Sequence, residues 1–335
     1  MLGPLLVLSQ TAIVPYPGGC KLGARPIDLH QMALERLGAT VDFDQQYVFA
    51  RRNSANLIGA RIVIPLKSNG AAECAILASC LAIGTTVIEE AHVTPELLDF
   101  IRFLNSMGAK VTVNSSRVTV RGVEQLHGTN YRIMSDVVEG VTFALISTLT
   151  EGNILISDFP IKEAFPILQK LYFLGVNVKI ENENLAIAPA EKPLSGFKIA
   201  AGAYPQIYSD MQPLLSVFGL KCNGVSYVSD ERWPQRFTHV EPLNEMGANI
   251  KRERNSIEIH GMQNLHGTTV VANDIRCGMA ILMAALIAQG PTVIKCADQI
   301  ERGYENIVKK LQSIGILIDK HVCSEPFTAT SSMSI

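Results

Sequence analysis

Charge of one sign is scarce in this chain of 335 residues. Lys and Arg number 29 against 31 Asp and Glu, a net charge of −2. No basic excess is available to neutralise a nucleic-acid backbone or an anionic membrane, which argues against both partners. Charged residues of either sign are few, at 18%, while hydrophobic residues reach 47% and mean hydropathy is +0.21. That balance excludes disorder and demands a generous buried core. Long apolar runs are missing too: the longest, Met279 to Ala288, is about half of what a membrane-spanning helix needs. The opening MLGPLLVLSQ has no cationic flank and no cleavage site, so it does not read as a signal peptide. Seven cysteines (Cys20, Cys74, Cys80, Cys222, Cys277, Cys296 and Cys323) form no Cys-x-x-Cys pair. An odd, scattered set points to reduced thiols in a cytoplasmic protein and away from zinc. At about 150 residues per domain, the length suggests two domains.

What the chain has instead is a repeat. An amphipathic helix ending in glycine, then a strand-like run, recurs as ERLGATVDF, NSMGAKVTV, YFLGVNVKI, NEMGANIKR and QSIGILIDK. The glycines are Gly38, Gly108, Gly175, Gly247 and Gly315, spaced 70, 67, 72 and 68 residues apart. In phase with them run nearly all-apolar helices followed by Gly84, Gly152, Gly224 and Gly290, and strand-initiating turns at Gly59, Gly128, Gly196 and Gly267. Glycine is expected as the C′ residue of both helix types. The amphipathic helix belongs on a surface, whereas one apolar all round must be buried. Buried helices enclosed by short sheets make an inside-out α/β barrel rather than a doubly wound sheet. No linker of Pro, Ser or charge interrupts the chain, so a domain boundary is expected between repeats, near Arg132 to Ser135. The first residues, LGPLLVLSQTAIVPY, read as the second half of an apolar repeat helix and its following strand. The first unit is therefore expected to be incomplete.

The most informative segment is PGGCKLGARPIDLH, from Pro17 to His30. Gly18, Gly19 and Gly23 around Cys20 describe a loop able to close over a ligand while leaving the thiol accessible. Lys21 and Arg25 favour a thiolate or hold an anion beside it. The bland alternative is an ordinary glycine-rich loop. Asp28 is expected to cap the following helix. Asp210 in PQIYSDMQP opens a buried helix and reads first as an N-cap. Asp136 and Glu139 read as a capping box.

With the repeat, PGGCKLGARPIDLH, YSDMQ, RFTHV before NEMGA, NDIR and ERGYENIVKKL resemble the UDP-N-acetylglucosamine enolpyruvyl transferases over essentially the whole chain. The resemblance implies an α/β fold of two inside-out barrels built from βαβαββ-type repeats, closing on substrate at the cleft between them. The first barrel would be incomplete at residues 1–134, the second would span 135–322, and 323–335 would be a polar tail. It implies transfer of the enolpyruvyl group of phosphoenolpyruvate to the sugar 3-hydroxyl, the first committed step of peptidoglycan synthesis, with no cofactor or metal.

Cys20 would protonate the methylene carbon of phosphoenolpyruvate. Arg25, Pro26, Ile27, Asp28 and Leu29 would hold the uridine end, with Ser68 and Gly70 as a further nucleotide-contacting turn. Asp210 would be the general base. Arg276 and Arg302 would clamp the carboxylate through paired hydrogen bonds that lysine cannot reproduce, and Arg236 matches a further arginine. Leu66, Thr94, Val137 and Pro234 depart from the family pattern, and Lys67 is a candidate replacement for a basic residue at Leu66. The family's amino-terminal Lys-Asn pair has no counterpart, so a separately encoded segment or self-association enters as a possible partner. Two alternatives stay open: another acceptor, as in shikimate-type relatives, and a catalytically impaired nucleotide-sugar-binding protein.

Overall fold

Four apolar segments become helices because Ala, Leu, Ile, Val and Met dominate them and proline is absent beyond the first turn. They are Asn69–Ser79, Val137–Leu149, Gln212–Lys221 and Ile275–Ala285. In Val137–Leu149 every residue but Glu139 is buried, and in Gln212–Lys221 every residue but Lys221. The computed structural model describes residues 1–18, 26–322 and 331–335. The chain divides into two compact units between Met134 and Ser135.

Within the first unit, helices Leu2–Leu8 and Asp28–Arg36 pack on Asn69–Ser79, enclosed by a three-stranded and a four-stranded sheet. The core runs from Leu6 and Leu34 through Ile62, Ile76 and Ile88 to Val118 and Val120. In the second unit, Val137–Leu149, Gln212–Lys221 and Ile275–Ala285 pack side by side inside three sheets. Helices lie within and sheets outside, as the pattern of apolar segments requires.

Three sheets share one plan. A first strand runs parallel to a second, which pairs antiparallel with the second strand of a hairpin. The sets are Arg61–Val63 and Thr85–Glu89 with Lys110–Asn114 and Arg117–Arg121; Lys198–Gly202 and Val225–Asp230 with Asn249–Arg252 and Ser256–His260; and Thr269–Val271 and Val293–Lys295 with Asp319–Val322 and Ser331–Ser334. The other two sheets, around Tyr47–Arg52 and Asn184–Ala188, hold the antiparallel strands alone.

The sequence reading meets several corrections here. Gly38, Gly108, Gly175, Gly247 and Gly315 are C′ residues, with φ between +88° and +96°. The apolar helices end earlier: Gly84, Gly224 and Gly290 lie three or more residues past the last helical turn and take positive φ in the turn into the next strand. At Gly152 the left-handed residue is its neighbour Glu151, at φ +54°.

Gly59, Gly196 and Gly267 allow close strand approach, since a Cβ there would lie 2.2–2.5 Å from a carbonyl oxygen of the neighbouring strand. Gly128 has open space around it, and no strand follows it. That segment is tied down by Asp99 instead, which accepts from the Tyr131 hydroxyl at 2.7 Å and from Met134 N at 3.2 Å. The expected polar tail carries the strand Ser331–Ser334, placed between two other strands, with Met333 fully buried. Alternation puts one apolar side chain inward, and that outweighs the serines around it.

Candidate functional site

Gln212–Lys221 is preceded by a single 3-10 turn, Ser209–Met211, which carries Asp210. Asp210 caps nothing. Its Oδ1 pairs with Arg236, and its Oδ2 accepts from Arg276 Nε at 3.2 Å and from a terminal guanidinium nitrogen of Arg276 at 2.9 Å. The Asp210 side chain is 39% exposed, while those of Arg236 and Arg276 are 9% and 11%. Burial pushes the Asp210 carboxyl up, but the two guanidiniums outweigh it and hold the group below the usual carboxylate range.

Each arginine has its own support. Arg276 is the second residue of Ile275–Ala285, a helix capped by the buried Asp274 through the N–H groups of Arg276 and Cys277. Its guanidinium lies over the Tyr304 ring, 5.2 Å from the centroid, a geometry that favours a cation. The Tyr304 hydroxyl, itself buried, meets Thr142 Oγ1 at 3.0 Å. Arg236 begins the RFTH stretch, in which Thr238 donates to Asp274 Oδ2 at 2.5 Å and His239 meets Ser216 Oγ at 3.1 Å. Four residues thus tie the arginine to two interior helices. One nitrogen on each guanidinium, Arg236 Nε and one terminal nitrogen of Arg276, has no hydrogen-bond partner among the described residues. Buried, charged donors without an acceptor are suited to receiving an anion.

Arg302 is not part of this cluster. It is exposed and donates to Gln299 at 2.7 Å, although the adjacent Gly303 leaves the backbone close to Arg276. Asp136 caps Val137–Leu149, but the capping box is only half made: Glu139 pairs with Lys310 at 2.6 Å.

In the first unit, Asp28 is the first residue of its helix rather than the cap, a place where its charge suits the helix dipole. Ile27 is buried at the N-cap position, Pro26 is exposed and Leu29 half-buried. Ser68 caps Asn69–Ser79 through Ala71 N, and Gly70 leaves room for His30, whose Nε2 would stand 3.0 Å from an added Cβ. Burial lowers the His30 pKa. Asn69 joins this group by meeting His92 Nδ1 at 2.6 Å and donating to Thr94 Oγ1 at 3.4 Å. Thr94 is buried as the cap of Pro95–Ser106, and Leu66 and Lys67 are exposed. Cys20 and Arg25 lie outside the described residues. Among those described, no cluster of His, Cys, Asp or Glu could hold a metal ion, and no helix is long and apolar enough to cross a membrane.

Sequence reasoning missed Asp230, Asp274, Thr238, Tyr304 and Thr142, which support the charged residues from below. Asp274 alone had a local signal, the Asp-x-x-Cys start of an apolar helix.

Residues 1–311 match the EPSP synthase (3-phosphoshikimate 1-carboxyvinyltransferase) family. A UDP-N-acetylglucosamine 1-carboxyvinyltransferase of Methylacidiphilum infernorum is 36% identical over 326 residues, 96% of this chain and 76% of the relative. One of Pseudoalteromonas atlantica is 36% identical over 321 residues, again 96% and 76%. Among solved structures, the enolpyruvyl transferase NikO from Streptomyces tendae superposes with a TM-score of 0.82 at 22% identity, covering 94% of this chain and 75% of that one. EPSP synthase from Acinetobacter baumannii gives 0.71 at 18%, covering 94% and 76%.

Proposed function

This chain belongs to the enolpyruvyl (1-carboxyvinyl) transferase family, and from that we propose that it moves the enolpyruvyl group of phosphoenolpyruvate onto the 3-hydroxyl of UDP-N-acetylglucosamine. The observation that carries the reading is the Asp210 carboxylate gripped by Arg236 and Arg276. It combines a base with two anion-binding guanidiniums, as attack of a hydroxyl on an anionic enol ether requires.

The ion pairs also suggest an order of events. With both arginines on it, Asp210 is a weak base. A substrate carboxylate that takes Arg276 removes one of the two counter-charges, so Asp210 becomes more basic once its substrate is present. Asp210 then accepts the hydroxyl proton as the oxygen adds to C2 of phosphoenolpyruvate, and Cys20 supplies the proton to C3. Departure of phosphate from the tetrahedral adduct completes the transfer. Arg302 would reach the carboxylate only by leaving Gln299. The nucleotide end falls to Arg25, Pro26, Ile27, Asp28, Leu29, Ser68 and Gly70. A cytoplasmic place in peptidoglycan synthesis follows from that substrate pair.

Phosphate release from phosphoenolpyruvate tests the reading, with UDP-N-acetylglucosamine and 3-phosphoshikimate offered as competing acceptors. Release that depends on the nucleotide sugar supports it. Release with 3-phosphoshikimate alone transfers the chemistry to another acceptor. Binding of the nucleotide sugar without single-turnover release marks an impaired binding protein.

A further inference from the structure

The strand Val225–Asp230 ends in an aspartate with no solvent exposure at all. Asp230 Oδ1 accepts three hydrogen bonds: from Ser209 Oγ at 2.9 Å, Arg232 N at 2.9 Å and Trp233 N at 2.7 Å. Its Oδ2 has no partner among the described residues. Burying a carboxylate is costly, and no cation bonds to this one directly among the described residues. The two backbone donors alone would make Asp230 a local loop closure. The third donor comes from 21 residues away and changes that reading.

Ser209 immediately precedes Asp210 in the 3-10 turn. Arg232 and Trp233 open the loop to Arg236, whose N–H donates back to the Trp233 carbonyl at 2.9 Å. Strand register agrees: Asp230 lies opposite Ala201, and Ala201 opposite Ile207, just before the turn. Both halves of the Asp210–Arg236 pair therefore hang from one buried oxygen.

We infer that Asp230 is a positioning residue. Through Ser209 it sets the turn that carries Asp210, and through two backbone N–H groups it sets the loop that carries Arg236, fixing the distance between base and guanidinium. The inference rests on the reading of Asp210 as the base. A charged oxygen holds three donors more firmly than an amide oxygen does, which accounts for an aspartate at so buried a place.

Asp230→Asn and Ser209→Ala in the full chain test this. Asp230→Asn keeps an acceptor oxygen and Ser209→Ala removes one tether only, so a variant that folds is in hand even if the first does not. The Asp210 carboxyl is titrated by carbon NMR, assigned with Asp210→Asn, and kcat and KM are followed against pH. Loosening the pair should raise the Asp210 pKa, lower kcat by about tenfold with KM nearly unchanged, and move the acid limb of kcat upward by up to about one unit. Asp230→Glu should restore part of each. An Asp230 that serves only the fold would lower the melting temperature and the active fraction without moving the titration. An unchanged Asp210 titration in every folded variant overturns the inference. If the wild-type chain shows no transfer while the titration still responds, the reaction reading fails and the positioning role stands.

Discussion

Asp210 begins a buried helix, yet its side chain turns away from the free N–H groups there to meet two guanidiniums. Asp210→Asn keeps the shape and a hydrogen-bonding oxygen but cannot accept a proton. Turnover should fall by about 10²–10⁴ with nucleotide-sugar binding within about tenfold, as steady-state kinetics and a binding titration would show. Near-normal turnover would reduce Asp210 to a structural anchor for its arginines. His239, a few residues along the chain from Arg236, makes a different prediction. Burial drives its pKa down from 6.5 to about 3, only partly opposed by Asp274, so it is neutral in the folded protein. The unfolded chain binds a proton there below about pH 6.5. Stability from this residue is complete above that pH and drains away as pH falls towards 3, by up to about 1.4 kcal/mol per unit. Denaturant melts of His239→Gln between pH 4 and 7 should show a flatter slope than the wild type.

Helices and strands followed the repeated signatures because each signature states a local rule. The five C′ glycines mark a left-handed backbone that side chains resist. The letters around them carry a second rule. Asn105 bonds both the N–H and the carbonyl of Val111, each at 2.9 Å, and Asn244 does the same to Ile250 at 3.0 and 2.9 Å. Gln312 makes the carbonyl half of that clamp to Ile318 at 2.7 Å. An amide thus laces the end of each of these helices to the first inward residue of the next strand. Asn244→Ala should cost about 1–3 kcal/mol, since it leaves two groups at a buried residue without side-chain partners. Thermal unfolding compared with Asn105→Ala would check that the two copies respond alike.

The missing strand at Gly128 was invisible in the letters, because LHGTNYRI and LHGTTVV differ only in which neighbour awaits them. The same limit applied to the site. Asp210, Arg236 and Arg276 came from motif resemblance, while Asp230 and Tyr304 act through partners 21 and 162 residues away, which no spacing encodes.

For the molecule as a whole, the least expected element is the strand Ser331–Ser334. It pairs with Val293–Lys295 on one side and Asp319–Val322 on the other, and Ile335 exchanges two backbone bonds with Thr292. Deleting residues 331–335 should open two strand edges and empty the seat of Met333. Met333→Ala alone should cost about 2–5 kcal/mol, and the deletion more, as calorimetry of the full chain and both variants would show. Such damage should stay close to where it is made. Every sheet draws its strands from one unbroken stretch: 11–52, 61–121, 154–188, 198–260 and 269–334. No strand must wait for a partner from the far end of the chain. Loop-closure entropy is then met in short steps, and folding can nucleate in any one stretch and spread to its neighbours. A chain of this size with sheets in both units would ordinarily fold slowly; one assembled from five local sheets has several independent places from which to start.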